Sequence, residues 1–233
     1  MALSFVEMYK IRAILFDLDN TLIDFMQMKQ ESCRAAIQAM ISTGLKMDKK
    51  EAYSKLMKTY FKLGLESDVA FTQFLKETGN FNHKILAAAI NTYLETKTKH
   101  IVPYPNVKAV LQELKEKGVV IAILTDAPKT KAYQRLLIME IEQYFNFVIG
   151  FEDTNLKKDT GLPLKLGIEL LKKQVPGMLN CEILMVGDSI KRDLIPATLL
   201  GLKTAIAKYG QTEAEEGRVD YELETIDDII KIV

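Results

Sequence analysis

A chain of 233 residues that is 48% hydrophobic and 27% charged can bury a core and cover it with charge, which excludes an intrinsically disordered protein. Lys plus Arg and Asp plus Glu balance at 31 each with no long run of either sign, so the chain lacks the basic footprint of a nucleic-acid binder. No apolar stretch approaches the roughly 20 residues of a membrane span, no secretory signal opens the chain, and Cys33 and Cys181 lack C-x-x-C spacing; the expectation is a soluble, cytoplasmic protein with two free thiols.

In chain order, the first seven residues, ahead of Met8, read as an extension with no catalytic role. Residues 11–16 (Ile-Arg-Ala-Ile-Leu-Phe) are short, apolar and β-branched, as a buried strand is. Residues 24–99 then contain no convincing strand and at least four helical segments. Asp48 to Glu51 has the spacing of a capping box, Ser67-Asp68 is suited to cap another helix, and Gly44, Gly64 and Gly79 fall where helices should stop. Met26, Met28, Met40, Met47 and Met57, with Tyr53, Tyr60, Phe61, Phe71 and Phe74, are expected to fill the interior of this bundle, an adaptable substrate-facing surface being the alternative.

From residue 105 the pattern alternates. Helices are expected over 105–117, 129–145, 163–174 and 190–200, and strands over 119–124, 147–151, 182–186 and 203–207. Such alternation specifies an α/β fold with a Rossmann-like doubly wound parallel sheet and right-handed crossovers. The expected organisation is an α/β core of residues 1–23 and 100–233, interrupted by a helical domain of residues 24–99 on two short hinges.

The first strand ends in Asp17-Leu-Asp19-Asn-Thr21, the second core strand in Thr125-Asp126, and the fourth in Gly187-Asp188-Ser189, followed by Asp193. In open α/β sheets ligands bind outside the carboxyl ends of the strands, so these groups converge if the strands are adjacent and parallel. Several carboxylates at one sheet edge would repel one another unless a divalent cation joined them, and an all-oxygen set suits magnesium rather than zinc. Neither His83 nor His100 stands at metal-ligand spacing or beside a candidate nucleophile, and both read as ordinary surface or interdomain residues; Lys172-Lys173 and Glu215-Glu216 read as solvated faces.

Asp17-x-Asp19-x-Thr21, Thr125, a lysine near residue 158 and Gly187-Asp188-x-x-x-x-Asp193 resemble, in order and spacing, the four signature motifs of haloacid dehalogenase superfamily phosphatases. The insert at 24–99 looks like that family's helical cap of the first type. The resemblance implies a magnesium-dependent phosphatase acting on a small phosphorylated metabolite such as phosphoglycolate, phosphoserine or a sugar phosphate. Asp17 would be the nucleophile that becomes an aspartyl phosphate, and Asp19 the general acid and base. Magnesium would be held by Asp17, the Asp19 main-chain carbonyl and Asp188. Thr125, Asp126 and a lysine would meet the phosphate, while Asp193 and Thr21 would support the site from behind. Counting from Glu152-Asp153 selects Lys158 as that lysine, with Lys157 the alternative, because the family's Lys-Pro pairing is absent here.

Asp19 argues for phosphoryl transfer over dehalogenation, which needs no proton donor two residues after the nucleophile. A phosphosugar mutase keeps the same aspartates and stays open as an outcome. A receiver-like phospho-accepting module fits poorly, because it would be about half this length with its acceptor on a middle strand. The chain alone leaves monomer and homodimer open.

Overall fold

The computed structural model describes residues 10–233, so the reading of the N-terminal extension lies outside the described residues. The chain divides into two compact units, one formed by the segment up to Asp24 together with Pro103–Val233, the other by Phe25–Val102.

In the first unit, β1 (Ala13–Phe16) is buried along its whole length between β2 (Val120–Leu124) and β4 (Ile183–Gly187), both parallel to it. With β3 (Val148–Ile149), β5 (Lys203–Ala207) and β6 (Tyr221–Leu223), the sheet runs β3-β2-β1-β4-β5-β6, every pairing parallel. A strand flanked on both edges and both faces has no polar face to show, which is why β1 and β4 read as unbroken apolar runs. Leu15 packs with Leu164, Ile168 and Leu171 on one face of the sheet, while Ile14, Phe16, Ile121 and Ile123, pointing the other way, are equally buried.

Three departures from the sequence expectation have local causes. The helix after β2 stops early, at Lys129–Ile138, because Glu140 turns the chain through a left-handed conformation (φ 54°); only a single turn, Glu142–Tyr144, follows. Residues 190–200 are not one helix. A wide turn over Ile190–Leu194 with i→i+5 geometry leads into a short helix, Ile195–Leu199, whose Pro196 cannot donate to the preceding turn. The edge strand β6 is only three residues long and too short to stand out as a pattern.

The second unit is four helices: α1 (Phe25–Thr43), α2 (Lys49–Leu63), α3 (Ala70–Glu77) and α4 (His83–Lys99). α1 lies along α4, and Ile37, Met40, Leu56, Tyr60, Phe71 and Phe74 belong to one apolar cluster. Asp48 caps α2 by accepting from the amides of Lys50 (2.9 Å) and Glu51 (3.1 Å), but the box is not reciprocal, because Glu51 pairs with Lys55 instead. Phe61 departs from the expected interior and is 65% exposed. A charge lies inside this bundle: the buried Lys29 ammonium sits 3.4 Å above the Tyr60 ring and donates to the Tyr93 hydroxyl at 2.8 Å. Both thiols are free, and among the described residues no helix is long and apolar enough to cross a membrane.

One close approach fixes the segment that follows β1. Gly210 ends the turn after β5 against the backbone of Asn20, where an added Cβ would lie 1.6 Å from the Asn20 carbonyl oxygen. A Gly210→Ala substitution must displace one backbone from the other and is expected to cost about 1–3 kcal/mol, as overpacking does. That corresponds to a fall in Tm of roughly 2–10 °C for a chain of this size. Calorimetry or a circular-dichroism melt checks it; a variant melting with the wild type would show that the two segments part without strain.

Candidate active site

Parallel pairing brings the strand ends level. Phe16 lies opposite Ile123 on one side and Val186 on the other, so Asp17, Thr125 and Asp188 leave the sheet at the same edge. The Asp17 amide still donates to the Val186 carbonyl at 2.8 Å, which anchors the first carboxylate to the sheet. The chain then turns tightly. Leu22 donates to the Leu18 carbonyl (2.9 Å), Asn20 adopts a left-handed conformation (φ 60°) and donates through its amide nitrogen to Ile23, and Asp19 is carried on this turn.

The centre of the site is Lys158. Only 1% exposed, its ammonium lies 2.6 Å from Asp17 Oδ1 and 2.5 Å from Asp193 Oδ1. Burial acts to lower its pKa, but the two carboxylates outweigh that, and the ammonium is held above the ordinary lysine value. Its backbone amide donates to Asp126 Oδ1 at 2.9 Å, so Asp126 fixes the lysine-bearing turn with its carboxylate. Lys157, one residue earlier, is exposed. Asp193 is fully buried and reaches the lysine across Gly187, where a Cβ would lie 2.6 Å from its Oδ2; that oxygen accepts from the Ser189 amide at 3.2 Å.

Asp17, Asp188 and Asp193 each offer a carboxylate oxygen within 4.8 Å of the others. Burial first, and the Asp17 charge second, push the Asp188 carboxyl up to about 7. Arg192, 40% exposed, places its guanidinium 2.6 Å from Asp188 Oδ1 and 3.5 Å from Asp17 Oδ2. Asp17 Oδ2 itself is buried and makes no hydrogen bond among the described residues. A buried carboxylate oxygen without a hydrogen bond, in a cluster whose donors are all oxygen, fits a hard divalent cation such as magnesium. Thr125 is buried at the neighbouring strand end, its hydroxyl oxygen accepting from the Ala127 amide at 3.1 Å, so the hydroxyl hydrogen stays available to an acceptor. The Thr21 side chain is buried, and its carbonyl accepts from the Tyr209 hydroxyl at 2.9 Å.

Asp19 is different in kind. Although 22% of its side chain is accessible, surrounding protein removes enough water to raise its pKa, against the opposing charge of Arg135. Arg135 and Arg192 both escape a sequence reading. Arg135 occupies one position of the helical stripe Ala132, Arg135, Leu136, Met139, all buried, and a charge in an apolar stripe is the signal that marks it. Arg192 carries no such mark. Glu215, read as a solvated face, instead accepts from the Ser189 hydroxyl (3.0 Å) and the Lys191 amide (2.9 Å), steadying the loop beside Asp188.

The sequence matches the haloacid dehalogenase-like hydrolase family over residues 14–207. It is 32% identical to the glyceraldehyde 3-phosphate phosphatase of Pyrococcus abyssi over 96% of this chain and 94% of that one. It is 31% identical to the glyceraldehyde 3-phosphate phosphatase of Methanocaldococcus jannaschii over 96% and 97%. Among solved structures, the hydrolase YfnB of Bacillus subtilis, bound to magnesium, superposes with a TM-score of 0.69 at 18% identity over 96% of this chain and 98% of that one, a likeness of fold. With the family matched across both halves of the interrupted core, and named phosphatases aligned along nearly the whole chain, this protein belongs to the haloacid dehalogenase-like hydrolases and is a phosphatase.

Proposed function

We propose that the protein is a magnesium-dependent phosphatase of small sugar-phosphate-like monoesters, working through an aspartyl phosphate on Asp17, with a three-carbon ester of the glyceraldehyde 3-phosphate type as its substrate. The observation that carries the reading is the unequal treatment of two acids on one turn: Asp17 is ion-paired to a buried lysine, while Asp19 has a raised pKa two residues on. Carboxylates driven toward different roles by their surroundings are what a nucleophile and a proton donor require. The names of the two relatives support the choice of substrate.

In the first displacement, a carboxylate oxygen of Asp17 bonds to phosphorus as the bond to the ester oxygen breaks, and Asp19 gives its proton to that departing oxygen, releasing an alcohol. In the second, water attacks phosphorus, Asp19 takes back a proton, and the bond to Asp17 breaks, freeing inorganic phosphate. Lys158 and the Thr125 hydroxyl neutralise and orient the phosphoryl oxygens throughout. Asp17, the Asp19 main-chain carbonyl and Asp188 are the groups that would hold magnesium, which would supply positive charge to offset that of the phosphoryl group. Asp193 works through Lys158, Asp126 through the lysine's backbone, and Thr21 braces the turn. The helical unit, spliced in after Asp24, acts as a cap that selects the organic part of the substrate.

Asp17→Asn removes the nucleophile and is expected to lower kcat on the order of 10⁴-fold or more. Asp19→Asn removes the proton relay and costs roughly 10²–10⁴-fold. Phosphate release from glyceraldehyde 3-phosphate measures both, with folding checked by circular dichroism. Substantial turnover by freshly purified Asp17→Asn would sink the covalent route.

Chelation should abolish activity, with magnesium restoring it. The same site sets a pH dependence of stability. Because the folded Asp188 carboxyl titrates near 7 against an ordinary 3.8, the native metal-free protein holds a proton that the unfolded chain has lost, and stability falls as pH rises between those values. The metal-free Tm is therefore expected to be lower at pH 8 than at pH 5.5. Magnesium should raise Tm more at the higher pH, because it binds the ionised carboxylate. A Tm gain independent of pH would remove Asp188 from the metal site.

A further inference from the structure

Arg135 is a full guanidinium placed where a helix normally carries an apolar side chain. Its side chain is 1% exposed, and Nε lies 3.4 Å from Asp19 Oδ1. Withdrawing such a cation from water costs several kcal/mol unless a fixed countercharge offsets it, so the arrangement is not neutral filler. The helix that bears it is pinned at its start: the Lys129 amide donates to Glu152 Oε2 at 2.7 Å and the Lys129 ammonium to Asp153 Oδ1 at 2.8 Å. Both anchors lie on the turn after β3, so Arg135 approaches Asp19 from a braced element. Asp19, by contrast, rides on a tight turn with part of its side chain open to solvent, and must hold one orientation to give a proton and later take one.

We propose that Arg135 is a positioning residue for the phosphatase reaction, its buried guanidinium fixing the carboxyl of Asp19 as proton donor in the first displacement and acceptor in the second. The inference rests on the reading of Asp19 as general acid and base. Within the site, the ion pair seen for Arg135 is the one with Asp19. Acting through Asp19, it bears on the steps in which a proton moves. An alkyl ester cannot leave without a proton, whereas 2,4-dinitrophenyl phosphate departs as a stable phenolate and needs none.

The test compares kcat/KM for glyceraldehyde 3-phosphate and for 2,4-dinitrophenyl phosphate, a ratio that reports only steps through departure of the leaving group. Arg135→Met is expected to lower the value for the alkyl ester about 10²-fold, the lower end of what a misplaced proton donor costs, while changing the aryl ester by less than about threefold. Arg135→Lys, which keeps the charge, should recover about tenfold of the alkyl loss. Equal losses on both esters would mean that Arg135 supports packing alone, and no loss on either would mean that it does nothing for Asp19. If Arg135→Met does not fold, Arg135→Lys against the wild type decides the matter by the same criterion of selectivity. Asp19→Asn runs alongside. If it fails to discriminate between the esters, the general-acid reading falls; if it discriminates and the Arg135 variants do not, only the positioning role falls.

Discussion

The ion-paired triad of Asp17, Lys158 and Asp193 is the constraint on which the rest of the site depends. Lys158 lies against both acids at 2.6 Å or less, all three side chains are essentially withdrawn from water, and each comes from a different part of the chain. Taking one member of such a set away typically costs about 3–5 kcal/mol, because the others are left charged and stranded. The sheet, the turn over Lys158–Thr160 and the wide turn over Ile190–Leu194 must therefore be in place together. Gly187 is where this demand meets the backbone, since only a residue without a Cβ lets Asp193 pass so close to the end of β4.

The charge balance around the triad explains how a dense cluster of acids is tolerated and also why it stays reactive. Three clustered carboxylates face Lys158 and Arg192, and one oxygen of Asp17 keeps no hydrogen bond. A cluster neutralised completely by internal hydrogen bonds would have no affinity left for a cation or a phosphate. Here the tightly held lysine secures one side of Asp17, and the half-buried Arg192 holds the other more loosely. The strong pairing gives structure, while the weak one leaves room for exchange.

Much of the fold and most of the site were legible in the sequence, and the misses have physical reasons. The five strands expected correspond to β1 to β5, and the central ones stand out because they are apolar on both faces; β3 contracts to two residues, and β6 at the sheet edge is missed because three residues carry no period. Asp17, Thr125, Lys158, Asp188 and Asp193 meet in space because a parallel sheet levels the ends of neighbouring strands, a fact that spacing along the chain can encode. Arg192 was invisible because its position depends on the wide turn that Pro196 imposes, and helical spacing does not describe that turn. Arg135 carries a signal in the sequence, a charge within an apolar stripe, but only the fold sets it against Asp19.

That exception has a counterpart in the helical unit. Lys29 sits in the buried stripe of α1 as Arg135 sits in that of its own helix, its ammonium set against aromatic faces and a phenol. The difference in partners separates the two. The Lys29 ammonium lies over Tyr60 and donates to the Tyr93 hydroxyl, and burial together with the neighbouring thiol raises the Tyr60 phenol above its ordinary pKa, so that phenol exchanges no proton near neutrality. Such a cation stabilises a bundle and leaves chemistry elsewhere. A guanidinium facing a carboxyl whose own pKa is raised is a different object, because the charge of one depends on the protonation of the other. Buried cations thus differ by the groups they face, and in this chain Lys158 and Arg135 face the acids at the end of β1 and on the turn that follows it.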